Sequence, residues 1–163
     1  TPAPPMAYTL PLDASATPRP RRAVGIEALL AQTRSPGPGV GVVLGDPLGG
    51  TLRYFIGKNR SVDVGVGFSG ETAFWFDHAW HSWDMVPRPR TGEADMWVSA
   101  GLRLETASDP ELGVRTMLGG SYWLPKGKVE LFATAGPVFR MTPSGGVGAD
   151  GGVGVRCYFG GDP

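Results

Sequence analysis

Residues 61–84 read SVDVGVGFSGETAFWFDHAWHSWD. In the first half Val62, Val64, Val66 and Phe68 alternate with Asp63, Gly65, Gly67 and Ser69. Successive side chains of a strand point to opposite faces, so this spacing predicts a strand with one greasy face and one of small or charged groups. Ser-Gly-Glu supplies turn chemistry. Alternation then resumes, with Phe74, Phe76, His78 and Trp80 against Trp75, Asp77, Ala79 and His81. The stretch holds both histidines of the chain. On a helix they could meet as zinc ligands. On a strand, three apart, they face opposite ways and cannot share one ion, so no metal centre is expected.

Composition sets the outer bounds. A chain of 163 residues suits one domain. The formal net charge is zero, which suggests neither nucleic acid nor a long-range electrostatic partner. A single cysteine, Cys157, excludes an internal disulfide and reads as a small hydrophobe on the apolar face. The 26 glycines and 16 prolines disfavour a helical protein. No apolar run reaches ~18 residues, so no transmembrane helix is expected.

The first 38 residues differ from the rest. TPAPPMAY and ATPRPRR are Pro-rich and read as an extended arm. Between that and SPGPG, the segment AVGIEALLAQTR places Ile26, Leu29 and Leu30 on one face of a short helix over 24–34. Such a helix is too short to stand alone. It rests on its own domain or contacts a partner.

From Gly39 to Gly160 the pattern is that of a β domain, followed by a tail over 161–163. Eight strands are expected, over 40–44, 51–56, 62–69, 72–84, 95–106, 112–124, 129–141 and 152–159. Clusters of Gly, Pro, Asp and Asn separate them. Sorting by parity repeats the two-faced pattern. Leu52, Tyr54 and Ile56 oppose Thr51, Arg53 and Phe55; Met96, Val98, Ala100, Leu102 and Leu104 oppose Asp95, Trp97, Ser99, Gly101, Arg103 and Glu105. Either the apolar face is a soluble core, or it meets lipid around a polar interior.

The polar face favours the second. It is crowded with glycine and aromatic residues, which suits a narrow filled interior better than a wet surface. Its charges balance in sign: Arg53, Arg103, Arg115, Arg140 and Arg156 against Asp63, Asp77, Asp95, Glu105 and Glu130. Arginine is the better cation for buried, multiply hydrogen-bonded pairs. Aromatic residues near strand ends, namely Tyr54, Phe74, Trp80, Trp83, Tyr122, Trp123 and Phe159, are expected to form interfacial girdles.

The segments GVGVVLGDPLGGTLRYFIG, SVDVGVGFS, WHSWD, LFATAGPVFRMTPS and GGVGVRCYF, in that order, resemble the small eight-stranded outer-membrane β-barrels of Gram-negative bacteria, in particular a short-loop group without assigned activity. The resemblance covers about Gly39 to Gly160 and implies an all-β, antiparallel, up-and-down transmembrane β-barrel; the Pro-rich arm lies outside it. It implies delivery to the outer membrane after cleavage of a signal peptide. It also implies that Phe159 is the terminal aromatic recognised during assembly, and that both chain ends share one side.

Some barrels of this kind modify lipid, using His, Ser and an acid, and here His81, Ser82 and Asp84 are the local candidates. Neighbours on a strand point apart, which argues against a triad of these three. GGVGAD, residues 145–150, matches a calcium-repeat pattern once, where tandem copies are needed, and reads as a hairpin loop. GVGVVLGDPLGG lacks the spacing and the following helix of a nucleotide loop. The expected role is structural, without enzyme activity or cofactor: an anchor or subunit of an envelope complex, its partners being the bilayer and, through the arm, another envelope protein. The alternatives are a lipid-modifying enzyme and a soluble barrel around an apolar ligand.

Overall fold

The computed structural model describes residues 37–87, 89–125, 127–143 and 145–160. Here the period-two pattern becomes eight strands: β1 (Gly39–Asp46), β2 (Leu48–Gly57), β3 (Arg60–Phe68), β4 (Thr72–Ser82), β5 (Glu93–Thr106), β6 (Glu111–Trp123), β7 (Val129–Thr142) and β8 (Gly146–Tyr158). Each pairs antiparallel with the next, and β8 pairs with β1 to close an up-and-down barrel. Closure matters because an open sheet would leave two rows of unpaired backbone groups.

All eight expected strands are present, and two of their starts move by three residues or more. β2 starts at Leu48, so Pro47 alone separates it from β1. GGVGAD is not a loop: residues 146–150 pair with Gly136–Arg140 of β7. A glycine-rich run has little strand preference of its own, and the ladder offered by β7 overrides it. The expected helix over 24–34, with Ile26, Leu29 and Leu30, and the tail over 161–163 lie outside the described residues.

The two faces separate as the parity predicts. Every strand turns large apolar side chains outward, among them Phe68 at 63 % and Leu118 at 58 % exposure. Inside, Arg53 and Glu130 are both at 0 %. An apolar core, as the soluble reading needs, would require the opposite arrangement.

The barrel has two rims. At the terminal rim lie the turns over 58–59, 83–92 and 124–128, together with both ends of the described chain. Those ends are zipped by hydrogen bonds from Gly37 N to Gly160 O at 2.9 Å and from Phe159 N to Pro38 O at 3.0 Å. The far rim carries Pro47 and the short turns over 69–71, 107–110 and 143–145. Gly70 in one of them has φ +82°, a conformation other L-residues rarely adopt.

One device recurs in three successive hairpins. Gly65 lies directly opposite Trp75 across β3–β4, Trp97 opposite Gly119 across β5–β6, and Phe132 opposite Gly154 across β7–β8. A methyl group on any of these glycines would collide with the facing ring. On the ring itself rests a guanidinium. Arg53 stands 4.6 Å from the centre of Trp97, Arg115 5.3 Å from that of Trp75, and Arg156 3.8 Å from that of Phe132. Each unit is a sandwich in which bare backbone admits an aromatic ring and the ring carries a cation.

Gly119→Val is expected to cost about 1–3 kcal/mol through overpacking against Trp97. Denaturant unfolding followed by circular dichroism, on this variant and on Gly119→Val/Trp97→Ala, checks the mechanism. The double variant should lose less than the sum of the two single ones.

Candidate functional site

The interior holds two ionic networks, one above the other. Nearer the terminal rim, Arg53 grips Asp63 with two prongs, Nε to Oδ1 at 2.7 Å and Nη2 to Oδ2 at 2.6 Å. Its Nη1 donates to Glu130 Oε1 at 2.9 Å. Glu130 also accepts from Ser121 Oγ at 2.5 Å, Tyr158 Oη at 2.6 Å and Arg156 Nη1 at 3.1 Å. Four donors on three other strands thus converge on one buried carboxylate. Charge-assisted bonds of this kind are the strong ones, and full pairing is what makes a buried charge tolerable.

Toward the far rim, Arg115 forks onto Asp77, with Nη2 2.8 Å from Oδ2, and reaches Asp150 Oδ2 at 2.8 Å. Asp150 pairs also with Arg103 at 3.2 Å, and Arg103 with Glu105 at 3.1 Å. Asp63 and Asp77 face each other across β3–β4. Like charges directly opposite repel; here each has its own arginine, so the repulsion is offset from both networks.

Between the networks lies a cavity of about 30 Å³, lined by Asp63, Trp75, Asp77, Arg115, Asp150 and Arg156 among others. That is room for about two water molecules. The buried Nε of Arg156 has no hydrogen-bond partner among the described residues, so a polar guest fits there.

At the terminal rim Phe55, Trp123 and Tyr158 pack into an aromatic plug with Trp83 against it. Above it runs a second hydrogen-bonded line. His81 Nδ1 donates to Asp95 Oδ2 at 2.5 Å, since a carboxylate only accepts, and His81 Nε2 lies 2.9 Å from Ser61 Oγ. Asp95 also accepts from Trp123 Nε1 at 3.2 Å. All three members of the line are buried, and none lines the cavity.

Several sequence expectations are corrected here. His81, Ser82 and Asp84 do not form a group. Ser82 has the opposite parity to His81, and Asp84 is exposed in the following turn. The partners of His81 are Ser61 and Asp95, reached diagonally from β3 and β5, which spacing along one strand could not reveal. Arg140 is not part of the interior networks: it sits at the far rim, its side chain 41 % exposed, paired with Glu111 at 2.8 Å. Among the described residues Asp95 pairs with His81 and with no arginine. Trp123 does not belong to an outer girdle, being buried in the plug, and Trp83 leans on it. Parity held the clue, because Trp123 shares its face with Gly113, Arg115 and Gly119. Asp150 was missed because its glycine-rich surroundings read as a turn. The other interior charges stand where expected, and Cys157 is exposed on the outer face.

No known protein family and no curated protein matches the chain in sequence. In fold, the solved N-terminal β-barrel domain of Pseudomonas aeruginosa OprF is similar, with a TM-score of 0.59 at 15 % identity, over 77 % of this chain and 98 % of that one. At that identity the likeness concerns the fold.

Glu130→Gln is expected to destabilise the barrel by about 3–5 kcal/mol, since Arg53 and Arg156 lose their shared counter-charge in a buried setting. Glu111→Gln, at the wet rim, should cost at most ~1 kcal/mol. Paired urea titrations of the two variants check the contrast, and equal losses would contradict the network's role.

Proposed function

We propose that this chain is an outer-membrane barrel with a filled, non-conducting interior, held in the bilayer by its outer face. On this reading it serves as an anchor or subunit of an envelope complex, and the arm over 1–38 contacts the partner. The observation that carries the reading is the inversion of the usual protein: charges paired inside, large apolar side chains exposed on every strand. In water such a surface aggregates. In lipid it is the solvated one, and a closed barrel satisfies every backbone group as the hydrocarbon layer demands. The filled interior is supported by the small cavity and the aromatic plug. The short far-rim turns offer little surface for a receptor role, which leaves the arm as the partner-facing element.

Protein extracted from membranes in mild detergent should run on a gel with different mobility boiled and unboiled. Solubility without detergent, with no shift on boiling, would sink the reading.

The Ser61–His81–Asp95 line favours a second reading, a lipid-modifying hydrolase, because nucleophile, base and acid stand within hydrogen-bond reach. Against it, Ser61 is fully buried and is not among the residues lining the interior cavity, where an acyl carbonyl would have to sit. A fluorophosphonate serine probe is therefore expected to leave the folded protein unlabelled. Labelling that disappears in Ser61→Ala would establish the hydrolase.

A further inference from the structure

Charge is sorted between the rims. Among the described residues, the far rim carries Asp46, Glu71, Asp109 and Glu111 against Arg140 alone. The terminal rim carries Lys58, Arg60, Arg90 and Lys128 against Asp84 and Glu93, all six exposed. None of these four cations takes part in an ion pair among the described residues.

The tyrosines and the exposed tryptophan of the outer face gather at one end: Tyr54, Trp80 and the half-buried Tyr122 lie near the terminal rim, joined there by Phe159, whereas Phe68, Phe74 and Phe139 lie toward the far rim. Tyrosine and tryptophan settle at the headgroup level because one end of each ring is apolar and the other wets; phenylalanine has no such handle. Trp80 stands directly opposite Arg60 across β3–β4, on the same outward face, so a cation and an interfacial ring share one spot. Two further ties hold this belt in place. Tyr122 Oη donates to Thr91 O at 2.9 Å, and Trp83 Nε1 donates to Lys58 O at 3.1 Å.

We propose that the terminal rim, through Lys58, Arg60, Arg90 and Lys128 beside Tyr54, Trp80 and Tyr122, binds the phosphate groups of anionic glycerophospholipids in the leaflet at that end. The proposal rests on the bilayer reading above and adds to it a lipid preference and a fixed direction in the membrane. The occupant follows from charge complementarity and from the chain's route. Both ends of the described chain belong to the terminal rim, so on the bilayer reading that rim stays on the side from which the protein inserts. Only the four short far-rim turns, with their excess of acid, need cross. Exposed cations near an anionic headgroup layer attract it within a Debye length, and salt screens them.

The test uses the full chain in phosphatidylcholine vesicles doped with either brominated phosphatidylglycerol or brominated phosphatidylcholine. Trp80 is the one tryptophan exposed on the outer face, so bromine quenching reads the lipids beside it. Phosphatidylglycerol should quench more strongly at low salt, and the preference should weaken roughly fivefold for each cation removed. It should vanish in high salt and in the variant Lys58→Gln/Arg60→Gln/Arg90→Gln/Lys128→Gln, whose mobility shift on boiling shows that it still folds. Equal quenching by the two lipids overturns the proposal, as does a preference that survives in the quadruple variant. Loss of the preference to inorganic phosphate but not to chloride of equal ionic strength would reveal a free-phosphate site and overturn it too. No quenching by either lipid, with no gel shift, would mean the bilayer reading itself has failed.

Discussion

Glu130 is the point on which the interior turns. It is fully buried, and its two oxygens take donors from Arg53 on β2, Ser121 on β6, and Arg156 and Tyr158 on β8. Backbone ladders join neighbours only. The bond to Arg53 crosses the lumen, from β7 to β2, and fixes how wide the barrel is at that level. Arg53 then has to be held in place, and Trp97 does so from below while Asp63 takes its remaining prongs. Trp97 in turn lies flat only because Gly119 has no side chain. A chain of necessity thus runs from one carboxylate to a glycine four strands from the arginine it holds.

The balance of forces differs from that of a soluble domain. The greasy side chains are not gathered into one core, and inside there are three small apolar clusters among the buried charges. Polar complementarity therefore specifies the interior, with hydrogen-bond geometry doing what shape-fitting does in an ordinary core. The arginine fork suits this because it serves two carboxylates and a ring at once. Arg53 and Arg115 both do so.

Much of this was legible in the sequence, and the limits are physical. Alternation fixed which residues face inward, because parity along a strand is local information. Asp63, Asp77, Arg53 and Arg103 were placed that way. What parity cannot supply is the height of each residue relative to strands across the lumen, which depends on register and stagger. So the sign balance was visible, whereas the partition into two networks, and the pairing of His81 with Asp95, was not. Asp150 was hidden for another reason: glycine has weak local preferences, and only the partner strand decides whether GGVGAD bends or extends. The arm lies outside the described residues, so its helix stays an expectation.

The repeated glycine–aromatic pairing bears on how such a barrel comes together. In β3–β4, β5–β6 and β7–β8 both members of the pair belong to one hairpin, so each hairpin can set its own register before the others arrive. Contacts close in sequence form fast. The seam between β1 and β8 is different, since it joins Gly39 to Tyr158 and must close a loop spanning the whole domain. Loop-closure entropy rises slowly with length, so the main burden on that last step is alignment. It falls on a strand, β1, whose alternate residues Gly39, Gly41 and Gly45 bring little of their own to the encounter. The three hairpins thus carry register cues of their own, whereas the β1–β8 seam depends on the rest of the barrel for its alignment.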